Sequence, residues 1–131
     1  QQEIAVHTEL APDLPPVFVV RNQFQQVFFN ITLNAMEAIR KKGTITIQTA
    51  HTPTGIEIIF EDSGPGIPVG QQERIFEPFM STKEQGTGLG LSVSYSIVEA
   101  HGGKLDLTNP LGEGARFRIF LPPYHPPIFA P

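Results

Sequence analysis

The 131-residue chain holds 40% hydrophobic and 17% charged residues, ten Phe, no Cys and a formal net charge of −4. This size and apolar content suit one folded domain with its own core and exclude a disordered chain. The acidic balance disfavours nucleic acid or an anionic membrane as partner, and the lack of Cys excludes disulfides and Cys-ligated metal and fits a reducing compartment.

Residues 3–10 alternate as a first strand, after which Pro12, Pro15 and Pro16 force an extended turn. The clearest helix follows. Phe24, Val27, Phe28, Ile31, Ala35, Ala38 and Ile39 recur at spacings of three and four, with Asn22 the expected N-cap and Gly43 the expected C′ residue. On that reading the basic run Arg40-Lys41-Lys42 closes the helix and complements its dipole. Strands at 44–51 and 55–61 are rich in Ile and Thr, and the short turn Thr52-Pro53-Thr54 joins them as an antiparallel hairpin.

Residues 62–71 read as a loop, and 72–75 as a short helix ahead of Phe76. A second long helix covers about 88–101, with Leu91, Tyr95 and Val98 as its core stripe and Gly102-Gly103 as its stop. Strands at 104–108 and 115–121, linked by a turn containing Gly, complete a domain of residues 1–122, and the proline-rich 123–131 reads as a tail or linker. The fold class expected is α+β: a two-layer α/β sandwich with a mixed, mostly antiparallel sheet of about five strands covered on one face by helices. No apolar run approaches the roughly 18 residues of a membrane span. The opening residues lack a signal-peptide pattern, and the start at Gln1 suits a piece of a longer protein.

Three places hold residues suited to chemistry. Asn30 and Asn34 stand one turn apart beside the apolar stripe, with Glu37 near the same edge. Asn is a poor helix former. The pair reads as a solvated face, as amides satisfied by a neighbouring loop, or as neutral oxygen donors to a hard cation such as Mg²⁺. Asp62 ends the second hairpin strand ahead of Gly64 and Gly66. It reads as a turn residue, or as a carboxylate acceptor for an exocyclic amino group such as that of adenine.

The third place is Gly86-Thr87-Gly88-Leu89-Gly90, which runs into a helix and offers backbone N–H groups suited to phosphate. It is not a dinucleotide-binding fingerprint, because 81–85 is polar and strandless. It is not a Walker A loop either, since no Gly-Lys-Ser/Thr occurs. Lys83 reads equally as a solvated lysine or a flexible phosphate contact. Phe76 and Phe79 read as core, His101 as a helix C-terminal residue, and the four His show no metal-site spacing.

In chain order, Asn30-Ile31-Thr32-Leu33-Asn34-Ala35, Asp62-Ser63-Gly64-Pro65-Gly66-Ile67-Pro68, Ile75-Phe76-Glu77-Pro78-Phe79 and Gly86-Thr87-Gly88-Leu89-Gly90-Leu91-Ser92 form a series. It resembles the N box, first glycine box, F box and second glycine box of the catalytic ATP-binding domain of bacterial two-component sensor histidine kinases. The wider superfamily also holds type II topoisomerase, mismatch-repair and chaperone ATPases. The resemblance covers roughly 3–122 and implies a Bergerat-type fold with ATP and Mg²⁺ as cofactors. It implies that Asn34 ligates Mg²⁺ with Asn30 beside it, that Asp62 binds adenine, and that Gly64 and Gly66 let the backbone approach the nucleotide. It also implies nucleotide contacts from Ile67, Phe79, Thr82, Lys83, Gly86, Thr87, Gly88, Leu89 and Gly90, a short ATP lid at about 68–85, and Asn34, Asn30 and Lys83 as the catalytic set.

Superfamily ATPases usually carry Glu where this chain has Asn30, and a neutral amide is no general base, which favours kinase over hydrolase. Glu37 stands where many sensor kinases carry Lys, which adds weight to Lys83. The implied partners are a histidine-containing dimerisation domain of the same parent and, through it, a response regulator. The domain by itself is expected to be monomeric, cytoplasmic and without membrane contact. His7-Thr8-Glu9 superficially fits a phosphoacceptor but lies on a strand, so it reads as a structural histidine. A conformational ATPase of the same superfamily and a degenerate, non-catalytic nucleotide module are the competing readings.

Overall fold

In the computed structural model, residues 2–72, 74–77, 90–108 and 114–123 are described. Strand β3 (Gly55–Asp62) organises the sheet. Side chains alternate along a strand, so Ile56, Ile58, Phe60 and Asp62 share one face while Glu57, Ile59 and Glu61 share the other. The first set faces the helices and the second faces outward.

The remaining strands are β1 (Glu3–Glu9), β2 (Lys42–Thr52), β4 (Lys104–Thr108) and β5 (Arg116–Leu121). Their order is β1-β2-β3-β5-β4. Only β1 pairs in parallel, with Val6 opposite Ile45, and the other three pairings are antiparallel. Helices α1 (Arg21–Ala38) and α2 (Gly90–Ala100) cover the inner face. The expected mixed two-layer sandwich of five strands is what forms.

The core joins Phe24, Val27 and Ile31 of α1 and Val98 of α2 to Ile56, Phe60, Leu105, Phe117, Ile119 and Leu121 of the sheet. A satellite of Ala35, Ile39 and Ile45 packs with Ile4 under the sheet's β1 side. Burying one such aliphatic or aromatic side chain contributes about 1.5–3 kcal/mol, so these inner rows dominate stability. On the outer face Arg118 bridges Asp106 at 3.0 Å and Glu57 at 3.2 Å, and Arg116 meets Glu61 at 3.1 Å. The bond to Asp106 and its charge, with a smaller part from Glu57, hold the Arg118 guanidinium above its ordinary pKa.

Several local expectations need correcting. Val20, not Asn22, is the N-cap of α1, and its side chain makes no capping bond. Its N–H instead donates to His101 Nε2 at 3.0 Å, from the far end of α2. Gly43 is not a C′ residue but lies in β2, opposite Ile4. The helix ends because Ile39 turns extended (φ −88°, ψ 108°) to bury its side chain, while Gln2 Nε2 donates to the carbonyls of Met36 and Ile39. Arg40 and Lys41 therefore follow the helix, Lys42 opens β2, and no basic residue stands in the last turn of α1.

Residues 72, 74 and 75 lie in turns, not in the expected short helix. A 3₁₀ turn at Val69–Gln71 leads into i→i−3 turns, with Arg74 N–H donating to Gln71 and Glu77 N–H to Arg74. The segment is too short for α-helix to propagate, and Ile75 is drawn into the core. Tyr95 is 37% exposed instead of lying in a core stripe, and the buried side chains of α2 are Ser92, Ser94 and Val98. The stop of α2 is as expected: Gly102, at φ +76°, donates to the Glu99 carbonyl while Gly103 donates to that of Val98. This is a Schellman ending.

Candidate functional site

Asp62 is the last residue of β3, and the inner-face alternation turns its carboxylate toward the helices, where it is 5% exposed. A charge at that depth needs donors. Oδ1 accepts from Gly64 N–H at 2.8 Å and from Ala115 N–H at 3.4 Å. The Asp62 N–H in turn donates to the Ala115 carbonyl at 3.0 Å. Gly114, just before, has φ +89°, and a Cβ there would run into the Asp62 carbonyl oxygen. Only glycine lets β5 begin this close to the carboxylate. Ser63 anchors the other side: its N–H donates to the Thr44 carbonyl at 3.1 Å, and its Oγ accepts from Thr44 N–H at 2.9 Å.

From Asp62 the loop runs back against α1. A Cβ on Gly64 would stand 3.1 Å from the Ala38 Cβ and carbonyl oxygen, so the loop backbone lies against the last residue of the helix. Gly66 turns with φ +81°, Ile67 packs on the core edge, and the Ile67 carbonyl accepts from Gln72 Nε2 at 3.0 Å. Ile75 and Phe76 pin the far end of this loop. Phe76 stacks on Tyr95 at 5.2 Å and meets Phe117 edge-on at 6.3 Å, so it sits at the border of the core.

The other end of the site is made by the two helices. Asn30 Nδ2 donates to the Gly90 carbonyl at 3.1 Å and to Ser94 Oγ at 3.2 Å. Asn30, Asn34 and Ala38 follow at steps of four on one edge of α1. With 1.5 Å of rise per residue, the contact to Gly90 and the contact to Gly64 are about 12 Å apart along the helix, and Asn34 lies midway. The first residue of α2, the half-buried Asn34 and the loop after Asp62 therefore lie in a row along one edge of α1.

The sequence candidates Asn30, Asn34, Asp62, Gly64, Gly66, Ile67 and Gly90 thus line one edge of the molecule. Phe79, Thr82, Lys83, Gly86, Thr87, Gly88 and Leu89 lie outside the described residues. Glu37 is exposed on the next turn of α1, and His7 is exposed on β1. Sequence reasoning missed Ser94, Gly114 and Ala115, which hold Asn30 and Asp62 in place. A serine four residues into a helix and a glycine just before a strand were their only signals.

The whole arrangement has known counterparts. Residues 19–125 match the histidine kinase-, DNA gyrase B- and HSP90-like ATPase family. The chain belongs to that family. Among its members, Sensor histidine kinase ZraS of Escherichia coli O157:H7 is 40% identical over 121 residues, which cover 92% of this chain and 26% of that protein. This chain therefore spans about a quarter of the length of that relative. The catalytic domain of histidine kinase ThkA superposes with a TM-score of 0.81 at 35% identity, covering 91% of this chain and 80% of that one. Full-length ShkA in complex with AMPPNP superposes with a TM-score of 0.78 at 26% identity, covering 93% of this chain and 27% of that one. Fold and sequence together put this ATPase-family chain with the ATP-binding catalytic domains of sensor histidine kinases. Among the described residues, no helix is long and apolar enough to cross a membrane.

Proposed function

We propose that residues 1–122 bind Mg·ATP and donate its γ-phosphoryl group to a histidine on a separate dimerisation domain of the same parent, with 123–131 as a tail. A response regulator would take the phosphoryl group from that histidine. The observation that carries this reading is the row along α1, with a buried carboxylate beside one end and the first residue of a helix at the other. Asp62 accepts the adenine amino group, Gly64 and Gly66 give the base and ribose room against the loop backbone, and Ile67 supplies an apolar wall. Gly90 and the helix it opens face the triphosphate, where the positive end of the helix dipole favours negative charge. Phe79, Thr82, Lys83, Gly86, Thr87, Gly88 and Leu89 complete the pocket on the family pattern.

The donors present suit Mg²⁺, which takes few protein oxygens and fills its shell with phosphate and water. Asn34 offers the neutral oxygen. Bound there, the ion would neutralise charge on the β- and γ-phosphates. Asn30 provides no general base, so the chain positions the nucleotide and leaves the attack to a supplied histidine. The same reading has the domain monomeric by itself and cytoplasmic, where ATP is abundant.

Calorimetric titration with a non-hydrolysable ATP analogue, with and without Mg²⁺, tests the pocket. Saturable 1:1 binding strengthened by Mg²⁺ is expected, and Asp62→Asn should weaken it by about 10- to 100-fold, the worth of a hydrogen bond to a charged acceptor. No binding at millimolar analogue, or an Asp62→Asn variant that binds as tightly as the parent, would overturn the reading.

A further inference from the structure

Asn30 would meet a metal through Oδ1, and its amide nitrogen has a separate task. The Gly90 carbonyl can only accept, so the Asn30 side chain must turn Nδ2 toward it, at 3.1 Å. The same nitrogen donates to Ser94 Oγ at 3.2 Å, and Ser94 Oγ donates to the Gly90 carbonyl at 2.9 Å. Ser94 is fully buried while Asn30 and Gly90 are half-buried, so this closed triangle of one amide, one hydroxyl and one carbonyl stands at the border of the core. A Cβ on Gly90 would meet the Asn30 side chain at 3.7 Å, an ordinary contact, so the Asn30 side chain stands about one methyl group away from the helix start.

The geometry points to Asn30 as a positioning residue: it pins the first turn of α2 to α1 through Gly90 and Ser94. The inference rests on the nucleotide reading above for its functional consequence, since the pinned turn is the one that faces phosphate. It also gives a reason for an amide at this place. A carboxylate there would face the Gly90 carbonyl oxygen with no hydrogen to offer, and would have to take the Ser94 hydroxyl away from it.

Two roles for Asn30 make opposite predictions for the 131-residue chain. As a pin, Asn30→Ala weakens the ATP analogue by about 3- to 10-fold both in EDTA and in Mg²⁺, leaving the strengthening by Mg²⁺ as in the parent. Ser94→Ala, which touches neither metal nor nucleotide in either account, weakens binding in the same way, and the double variant is no worse than the stronger single one. Asn34→Ala is the contrast and removes the Mg²⁺ strengthening. The inference is overturned if Asn30→Ala loses that strengthening while Ser94→Ala binds like the parent.

A second readout needs no nucleotide. In the ligand-free chain, Asn30→Ala and Ser94→Ala should each speed amide hydrogen exchange at 94–96 by about 3- to 10-fold, the loss of one or two buried hydrogen bonds. Unchanged exchange there in both variants would sink the pin. If the parent fails to bind the analogue, the nucleotide reading falls, and this exchange result alone decides the pin.

Discussion

The two ends of this row along α1 are built from different materials. At the Asp62 end, backbone does the holding: β3 delivers the carboxylate, the Ala115 and Gly64 amides receive it, and β2 ties down Ser63. At the Asn30 end, side chains do the holding, across two helices that share no backbone ladder. Sheet register cannot slip by one residue without turning every buried side chain outward, whereas two helices joined by side chains can shift by a fraction of an ångström. The sheet end is therefore the more rigid of the two, and the helix end the more adjustable.

The comparison is broken most severely at Gly114. Gly114→Ala forces an unfavourable positive φ and drives a Cβ into the Asp62 carbonyl oxygen, so it should cost about 3 kcal/mol. A lower urea midpoint together with lost nucleotide binding is expected. An unaltered midpoint would mean that the start of β5 does not hold Asp62. Asp62→Asn is gentler on the fold, because its remaining carbonyl oxygen still accepts from Gly64, and its loss of about 1.5–3 kcal/mol should appear in nucleotide binding alone.

His101 sharpens the contrast from the helix side. Its Nδ1–H donates to the Ile97 carbonyl at 2.7 Å, Nε2 accepts from Val20 N–H at 3.0 Å, and the ring packs edge-on against Phe24 at 4.7 Å. The two partners fix one neutral tautomer, since a carbonyl only accepts and an amide only donates. His101→Ala should cost about 1–2 kcal/mol and loosen the start of α1. The Ala115 amide resonance beside Asp62 should barely move. A large shift there would show that the two ends are mechanically one.

The smallest effect is expected on the outer face. Arg118 bridges Glu57 and Asp106 but is 46% exposed, so Arg118→Gln should cost no more than about 1 kcal/mol, and less at high salt. A cost that salt does not reduce would mean the pairs act by packing.

Much of this was legible because it is local. Alternation along 55–61 and the three-and-four spacing from Phe24 to Ile39 are consequences of side-chain geometry within one element, and both elements form. Asp62 was legible for the same reason: a carboxylate ahead of Gly-Pro-Gly at a strand end is a local pattern. The helix caps were not legible. Asn22 is a good capping residue by type, but the start of α1 is decided by His101, 81 positions away. Gly43 is a good C′ residue by type, but the end of α1 is decided by Ile39 entering the core and by Gln2 from the flank of β1. Tyr95 had the spacing of a core residue, yet the layer beneath α2 is closed by two small serines and Val98.

By itself the sequence determined the two long helices and the five strands, the apolar face of α1, and where the carboxylate and the two amides fall along them. Those properties follow from periodicity and turn chemistry over a few residues. The tertiary structure alone decided that β1 runs parallel to β2 and that β5 lies between β3 and β4. It also decided that the Asn30 amide closes on Gly90 and Ser94, 60 and 64 positions away. Contacts at that separation depend on how whole layers stack, and many sequences with the same local pattern would leave the amide facing water.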